Sequence, residues 1–183
     1  MTQKEITKAL SGSVNVCELA EVFRGEIDEV SLIGNIAAVS NDLVILESIN
    51  DFSSNGYRII RLKDVTDVSL AAENDALRFM STICKKENVF SSSKPNIDIK
   101  SWKGVFDFLK SSNLPVTVEC SFDDAFDYYV GWVTSLDGSI ATMKCFDGSG
   151  VIFEDDMKIN LNFVSQVMVY EKYTTLTAKY INK

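Results

Sequence analysis

Two carboxylate clusters are the densest groups in this chain with the means to do chemistry: Asp123-Asp124…Asp127 and Glu154-Asp155-Asp156. Clustered carboxylates bind hard cations or meet a basic protein surface. Neither cluster has the spacing of an EF-hand loop, and a carboxylate pair for glycoside cleavage needs a cleft that spacing alone does not show. The simpler reading of both is a solvated loop. Phe126, Tyr128, Tyr129 and Trp132 crowd around the first cluster. Tyr and Trp cover much area at an interface for little lost rotamer freedom, so acid mixed with aromatic suits recognition of a basic partner. Successive residues of a strand face opposite ways, however, so half of these rings are due to the core. The candidate partner-binding residues are therefore Asp123, Asp124, Asp127, Tyr128, Tyr129 and Trp132.

The other residue types narrow the chemistry further. The chain has no histidine, which removes the commonest general base, the usual triads and most transition-metal sites. Carboxylate, Lys or Tyr chemistry remains open, but the expectation is a protein that is not an enzyme and needs no cofactor or metal. Cys17, Cys84, Cys120 and Cys145 are scattered, with no CxxC pair. Without a neighbouring cation cluster they read as small apolar residues rather than nucleophiles. Asp147-Gly-Ser-Gly150 resembles a phosphate loop only superficially. It lacks the Walker lysine and the downstream glycine pattern, and it lies between strand-like segments, so a hairpin turn is the better reading.

A formal net charge of −8 works against nucleic acid, whose binding needs Lys and Arg to displace phosphate counterions. It suits a protein that meets a basic partner. At 46% hydrophobic and 24% charged residues, the chain has the balance of a folded protein rather than a disordered one. Met1 to Leu10 lacks the continuous apolar core of a signal peptide, and no run approaches a membrane span. The expected location is the cytoplasm.

The elements that must position these residues come in two copies. Ile60-Arg-Leu-Lys-Asp-Val65-Thr-Asp-Val68-Ser-Leu70 lines up without a gap with Ile159-Asn-Leu-Asn-Phe-Val164-Ser-Gln-Val167-Met-Val169, 99 residues on (60 to 159). Ile33-Gly34-Asn-Ile36 matches Val130-Gly131-Trp-Val133 at a shift of 97 (34 to 131). A repeated apolar pattern implies a repeated fold.

In the first copy, Lys4 to Leu10 reads as a helix, and short apolar runs at strand spacing begin at Val14. Glu26 to Val39 contains a long strand that Gly34 allows to bend. Ser40-Asn41-Asp42 is a turn into Leu43 to Leu46, and Asp51 to Gly56 is a hairpin loop whose Asn55-Gly56 supplies left-handed backbone geometry. Tyr57 to Leu62 and Thr66 to Leu70 complete a five-strand meander. Ala76, Leu77, Met80, Ile83 and Cys84 then recur at helical spacing.

The second copy repeats the order. It has a helix over Asp98 to Ser111, strands over Leu114 to Phe122 and Tyr128 to Thr134, an Asp137-Gly138 hairpin, and a strand over Ile140 to Phe146. Strands over Val151 to Phe153, Ile159 to Leu161 and Gln166 to Tyr170 follow, and a helix through Tyr173, Leu176, Tyr180 and Ile181 closes the copy. The predicted organisation is a first domain over 1–85, a polar, serine-rich linker over 86–98 and a second domain over 99–183.

A helix followed by five short, bent strands resembles the Sm-like variety of the SH3-like barrel. Gly34-Asn-Ile36-Ala-Ala-Val39 with Leu43-Val-Ile45-Leu46 is similar to the bent second strand and the third strand of that family. Ile60-Arg61-Leu62-Lys-Asp-Val65 is similar to its step before the fifth strand. The likeness covers roughly residues 14–70 and 114–170. The pattern Gly-x-Ile…Val-x-Leu…Gly-Tyr…Ile-x-Leu-x-Asp-Val-Thr-x-Val also resembles a group of uncharacterised bacterial proteins to which no activity attaches.

The expected fold is thus mainly β with flanking helices (α+β), arranged as two tandem SH3-like or Sm-like five-stranded barrels. The family binds RNA through Asp-x-x-Met-Asn and an Arg-Gly pair. This chain has Ser40-Asn41-Asp42-Leu43-Val44 and Ser135-Leu136-Asp137-Gly138-Ser139 in the first place, and Arg61-Leu62 and Asn160-Leu161 in the second. The leading functional expectation is a non-enzymatic cytoplasmic protein-binding module, of the immunity type that masks a basic partner. The alternative is an Sm-like nucleic-acid-binding protein, and a carboxylate-based hydrolase ranks third.

Overall fold

A computed structural model describes residues 1–91, 94–122 and 125–181. Two compact units divide the chain, Met1–Asn96 and Ile97–Lys183. Both are mainly β with helices at either end, an α+β composition. No helix among the described residues is long and apolar enough to cross a membrane.

The first unit opens with α1 (Gln3–Ser13). Thr2 caps it, its hydroxyl accepting from the Glu5 N–H while the Glu5 carboxylate accepts from the Thr2 N–H at 2.8 Å. Such a reciprocal cap is worth about 1 kcal/mol. It also holds the Glu5 carboxyl below its usual range. Four strands follow, β1 (Leu19–Arg24), β2 (Asp28–Val39), β3 (Leu43–Asn50) and β4 (Ser53–Arg61). A 3-10 turn at Leu62–Asp64 leads into β5 (Asp67–Leu70), and α2 (Asp75–Lys86) closes the unit.

The second unit repeats this order. It comprises α3 (Trp102–Ser112), β6 (Pro115–Phe122), β7 (Ala125–Asp137), β8 (Ile140–Cys145), β9 (Met157–Asn160), a 3-10 turn at Leu161–Phe163, β10 (Val164–Val169) and α4 (Lys172–Tyr180).

Within the first unit the strands lie in the order β5-β1-β2-β3-β4, and within the second β10-β6-β7-β8-β9, all antiparallel. The last strand of each unit therefore returns to the first. This corrects the five-strand meander expected from sequence, because Val68 and Val167 place their strands beside β1 and β6. Nor is the sheet closed: among the described residues no pairing joins β4 to β5 or β9 to β10.

The repeat extends to local irregularities. A register shift falls between Ile36 and Ala38 in β2 and between Val133 and Ser135 in β7, again 97 residues apart. Beside each bulge sits a glycine against its neighbour strand. A Cβ on Gly34 would lie 2.2 Å from the Glu47 carbonyl oxygen, and one on Gly131 would lie 2.1 Å from that of Lys144. Only glycine allows so close an approach, which lets both long strands bend.

Alternation along the strands sends two faces to two helices. In the first unit Ile6 and Leu10 of α1 pack on Ala20, Val22, Ile36 and Leu46, while α2 covers Leu19 and Ile49 on the other face with Leu77 and Cys84. In the second, α3 buries Val105, Phe106 and Leu109. There α4 brings Ala178, with Ile181 just beyond it, against Trp132 and Phe146. Each such fully buried aliphatic side chain contributes roughly 1.5–3 kcal/mol.

Two further expectations need correction. The hairpin is tighter than the loop expected over 51–56: only Asp51 and Phe52 turn, both with positive φ (46° and 56°), closed by the Asn50–Ser53 pair. Gly56 (φ 76°) instead takes up an extra residue in β4, where the register slips between Glu47 and Ile49 of β3. Val151 to Phe153 is not a strand but holds one isolated bridge, Ile152 to Phe146. The Asp147 side chain organises this stretch by bonding its own loop.

Candidate functional site

The candidate residues lie on β7, whose burial runs from exposed at Ala125–Tyr128 to fully buried at Gly131–Val133. Pairing with β6 sets Phe126 opposite Ser121, Tyr128 opposite Glu119 and Trp132 opposite Pro115. Phe126, Tyr128, Val130 and Trp132 therefore share one face, and Asp127 and Tyr129 the other.

Trp132 goes to the core. It is 8% exposed, with its ring 5.1 Å from that of Phe146 and packed near Ala178 and Ile181. Tyr128 (61% exposed) and Phe126 (42%) project where the core has ended. Tyr129 is half-buried and donates its phenol hydrogen to Asp127 Oδ2 at 3.2 Å. Burial first, and then the Asp127 charge, push the Tyr129 phenol up to about 12. Asp127 is exposed. Asp123 and Asp124 lie outside the described residues. The structure thus brings Phe126, Asp127, Tyr128 and Tyr129 together at the outer end of the β6–β7 hairpin and withdraws Trp132 from them. Nearby, Phe122 and the exposed Phe163 pack at 4.7 Å between ring centroids.

The second acidic cluster is an exposed loop between β8 and β9. Lys144 Nζ meets the Asp156 carboxylate at 3.3 Å and donates to the Glu154 carbonyl at 2.8 Å, partly neutralising it. Asp147 Oδ1 accepts from the N–H groups of Ser149 (2.9 Å) and Val151 (3.0 Å) and from the Ser149 hydroxyl (2.7 Å). These bonds hold the carboxyl below its usual range. The Ser149 N–H is thus engaged with an internal anion, while those of Asp147 and Gly150 donate to the Val151 and Asp147 carbonyls, so the segment is a turn. Among the described residues no three Cys, Asp or Glu side chains converge as a metal site would require. The cysteines are unbridged. Cys84, Cys120 and Cys145 are buried and Cys17 is exposed. Burial, reinforced by Asp156, pushes the Cys145 thiol up to about 11, the opposite of an activated nucleophile.

One polar constellation escaped the sequence reading. Beneath α2, Glu47 is 1% exposed and Asn35 5%, directly opposite each other across β2 and β3. Glu47 Oε1 accepts from Ser54 Oγ (2.8 Å) and from both the N–H (3.0 Å) and hydroxyl (2.6 Å) of Ser91. The available signal was a lone acid within the apolar run Leu43-Val-Ile-Leu-Glu47-Ser-Ile49. In the second unit the buried Glu119 is satisfied differently, by the Ser165 hydroxyl at 2.6 Å and the Gln166 amide at 3.2 Å.

Comparison with protein-family models, with curated proteins and with solved structures finds no match to this chain.

Proposed function

We propose that this chain is a non-enzymatic protein-binding module whose second unit meets a basic partner through the outer end of the β6–β7 hairpin. The observation that carries the reading is the gradient along β7. Tyr128 and Phe126 stand 61% and 42% exposed beside the exposed Asp127, on the same strand whose inner half is packed core. A strand that presents two rings on one face at little entropic cost, with the Asp127 carboxylate on the other, offers a cationic partner both kinds of contact at the end of the hairpin. The net charge of −8 would speed the encounter. An immunity-type role, masking a basic toxin, is the specific form of this reading.

The units themselves we read as two tandem copies of the SH3-like or Sm-like kind. The strand order, the 3-10 turn before the last strand and the preceding helix support this, although the sheet is open. That kinship keeps a nucleic-acid role as the second reading. Against it, the Arg61 guanidinium at the family's pocket position donates to the Asp64 carboxylate, so its charge is matched within the chain.

Affinity capture with and without nuclease separates the two readings. A protein recovered in both samples, whose affinity falls at least tenfold for Tyr128→Ala and for Asp127→Asn, is the expected result. Recovery that requires nucleic acid and weakens steeply with salt would favour the second reading.

A further inference from the structure

The two units provide an internal control for each buried position. At a shift of 97, Asn35 corresponds to Trp132 and Glu47 to Lys144, pairs that oppose each other identically across their strands. At the same shift Ser81 of α2 corresponds to Ala178 of α4, and Cys84 to Ile181 just beyond α4. In the second unit this space is apolar, filled by Trp132, Phe146 and Ile181, and Lys144 turns outward to Asp156. The architecture therefore does not require a carboxylate and an amide here. In the first unit they are buried all the same, and Asn35 Oδ1 has no hydrogen-bond donor. An acceptor left bare in the interior is costly, so its presence in one copy only asks for a ligand.

The first unit's cleft is filled by a strap that follows α2. Val89 donates its N–H to the Cys84 carbonyl at 2.9 Å, and Val89 and Phe90 pack against Leu19, Ile49 and Cys84. Ser91 gives Glu47 its N–H and its hydroxyl, while remaining exposed itself. Farther on, Lys94 Nζ donates to the Ala37 carbonyl at 2.9 Å. Phe90 and Ser91 thus supply one aromatic ring and two donors to the site, and the Asn35 acceptor stays unfilled. The strap's outer side is open to solvent at Ser91 and Lys94.

We propose that the cleft beneath α2, between β2 and β3 of the first unit, is a peptide-binding site that residues 89–91 occupy in cis. It takes a segment presenting an aromatic side chain followed by a backbone N–H and a hydroxyl. A competing segment with one further donor, placed to reach Asn35 Oδ1, binds it better than the strap does. The site is separate from the β6–β7 hairpin and stands or falls independently of it.

Cys84 lies beneath the strap with no exposed surface, so its alkylation reports opening. The test is pulsed labelling of the full chain with N-ethylmaleimide, read at each cysteine by mass spectrometry, alongside amide exchange of β3 and α1. Ser91→Ala, which removes one donor at an exposed position, is expected to speed Cys84 labelling at least tenfold. Protection of β3 and α1 should stay unchanged, as should labelling of Cys120 and Cys145. An acetylated peptide with the sequence of residues 88–91, added in excess, should then slow Cys84 labelling in that variant. Asn35→Leu should abolish any advantage of a peptide carrying a lysine after the serine over one carrying alanine. Unchanged Cys84 labelling in Ser91→Ala overturns the proposal, as does acceleration that comes with loss of β3 protection, or a peptide that gives no slowing at millimolar concentration.

Discussion

Replacing Trp132 with alanine separates core from surface along a single strand. The side chain is 8% exposed and lies against Phe146, Ala178 and Ile181. An aromatic side chain buries roughly 150–250 Å², and at about 25 cal/mol per Å² the upper part of that range is worth roughly 5–6 kcal/mol. Partial collapse of the neighbours recovers some of it, so the expected loss is about 3–5 kcal/mol. Tyr128, four residues earlier on the same face, is 61% exposed. Its truncation should change stability by less than about 0.5 kcal/mol. The chain has two tryptophans, so Trp102 remains to report unfolding of the second unit in urea. With a slope of about 2 kcal/mol per molar, Trp132→Ala should lower the midpoint by about 2 M, and Tyr128→Ala should leave it in place. A loss below about 1 kcal/mol for Trp132→Ala would refute the packing argument, and with it the claim that β7 changes from core to surface along its length.

Two further outcomes follow from the same strand. Gly131→Ala forces a Cβ to within 2.1 Å of the Lys144 carbonyl oxygen, so β7 and β8 must part, at a cost of about 1–3 kcal/mol or more. Thermal unfolding measures it, with Gly12→Ala, in open space on α1, as the control; equal melting temperatures for the two variants would contradict the close approach. Tyr129, with its phenol raised from 10.0 to about 12, contributes fully to stability below the unfolded value. It loses that contribution as pH climbs through about 12, because the unfolded chain releases the proton first. A spectroscopic alkaline titration should show a tyrosinate transition near 12 that Tyr129→Phe removes and Asp127→Asn moves downward; a transition indifferent to Asp127→Asn would rule out the contact with that carboxylate.

The repeat was legible in sequence because apolar positions in β4, β5 and their counterparts hold their spacing whatever the polar residues between them. Ile60, Val65 and Val68 find Ile159, Val164 and Val167 without a gap. Gly34 and Gly131 were legible for a related reason, since a lone glycine in a strand marks a bend or close approach. Strand order was not, because local alternation says which face a residue takes and nothing about which neighbour it meets. Within the loop expected over 51–56 the turn falls at Asp51-Phe52 rather than at Asn55-Gly56, whose composition fits a turn better than a bulky Phe at positive φ does.

On β7, alternation correctly divided the rings into two sets. Only the tertiary fold shows where along the strand the core stops, and so that Trp132 is buried while Phe126 and Tyr128, on its own face, are not. The Glu47–Asn35 constellation needed the structure because its members come from β2, β3, β4, α2 and the strap. Within the stretch read as linker, the Ser91 hydroxyl reaches back to Glu47, 44 positions earlier, and Phe90 packs on the first unit's core, contacts that only the tertiary fold shows.

If the exposed end of β7 binds a basic protein partner, that partner's affinity must depend on Tyr128. The most direct test is the affinity of the partner captured in both nuclease-treated and untreated samples, measured by titration calorimetry against the native chain and Tyr128→Ala. The account predicts at least a tenfold weaker complex for Tyr128→Ala with its urea midpoint unchanged, together with affinity for the native chain that falls as salt is raised. An undiminished affinity for Tyr128→Ala would place the interface elsewhere on the chain and contradict the account.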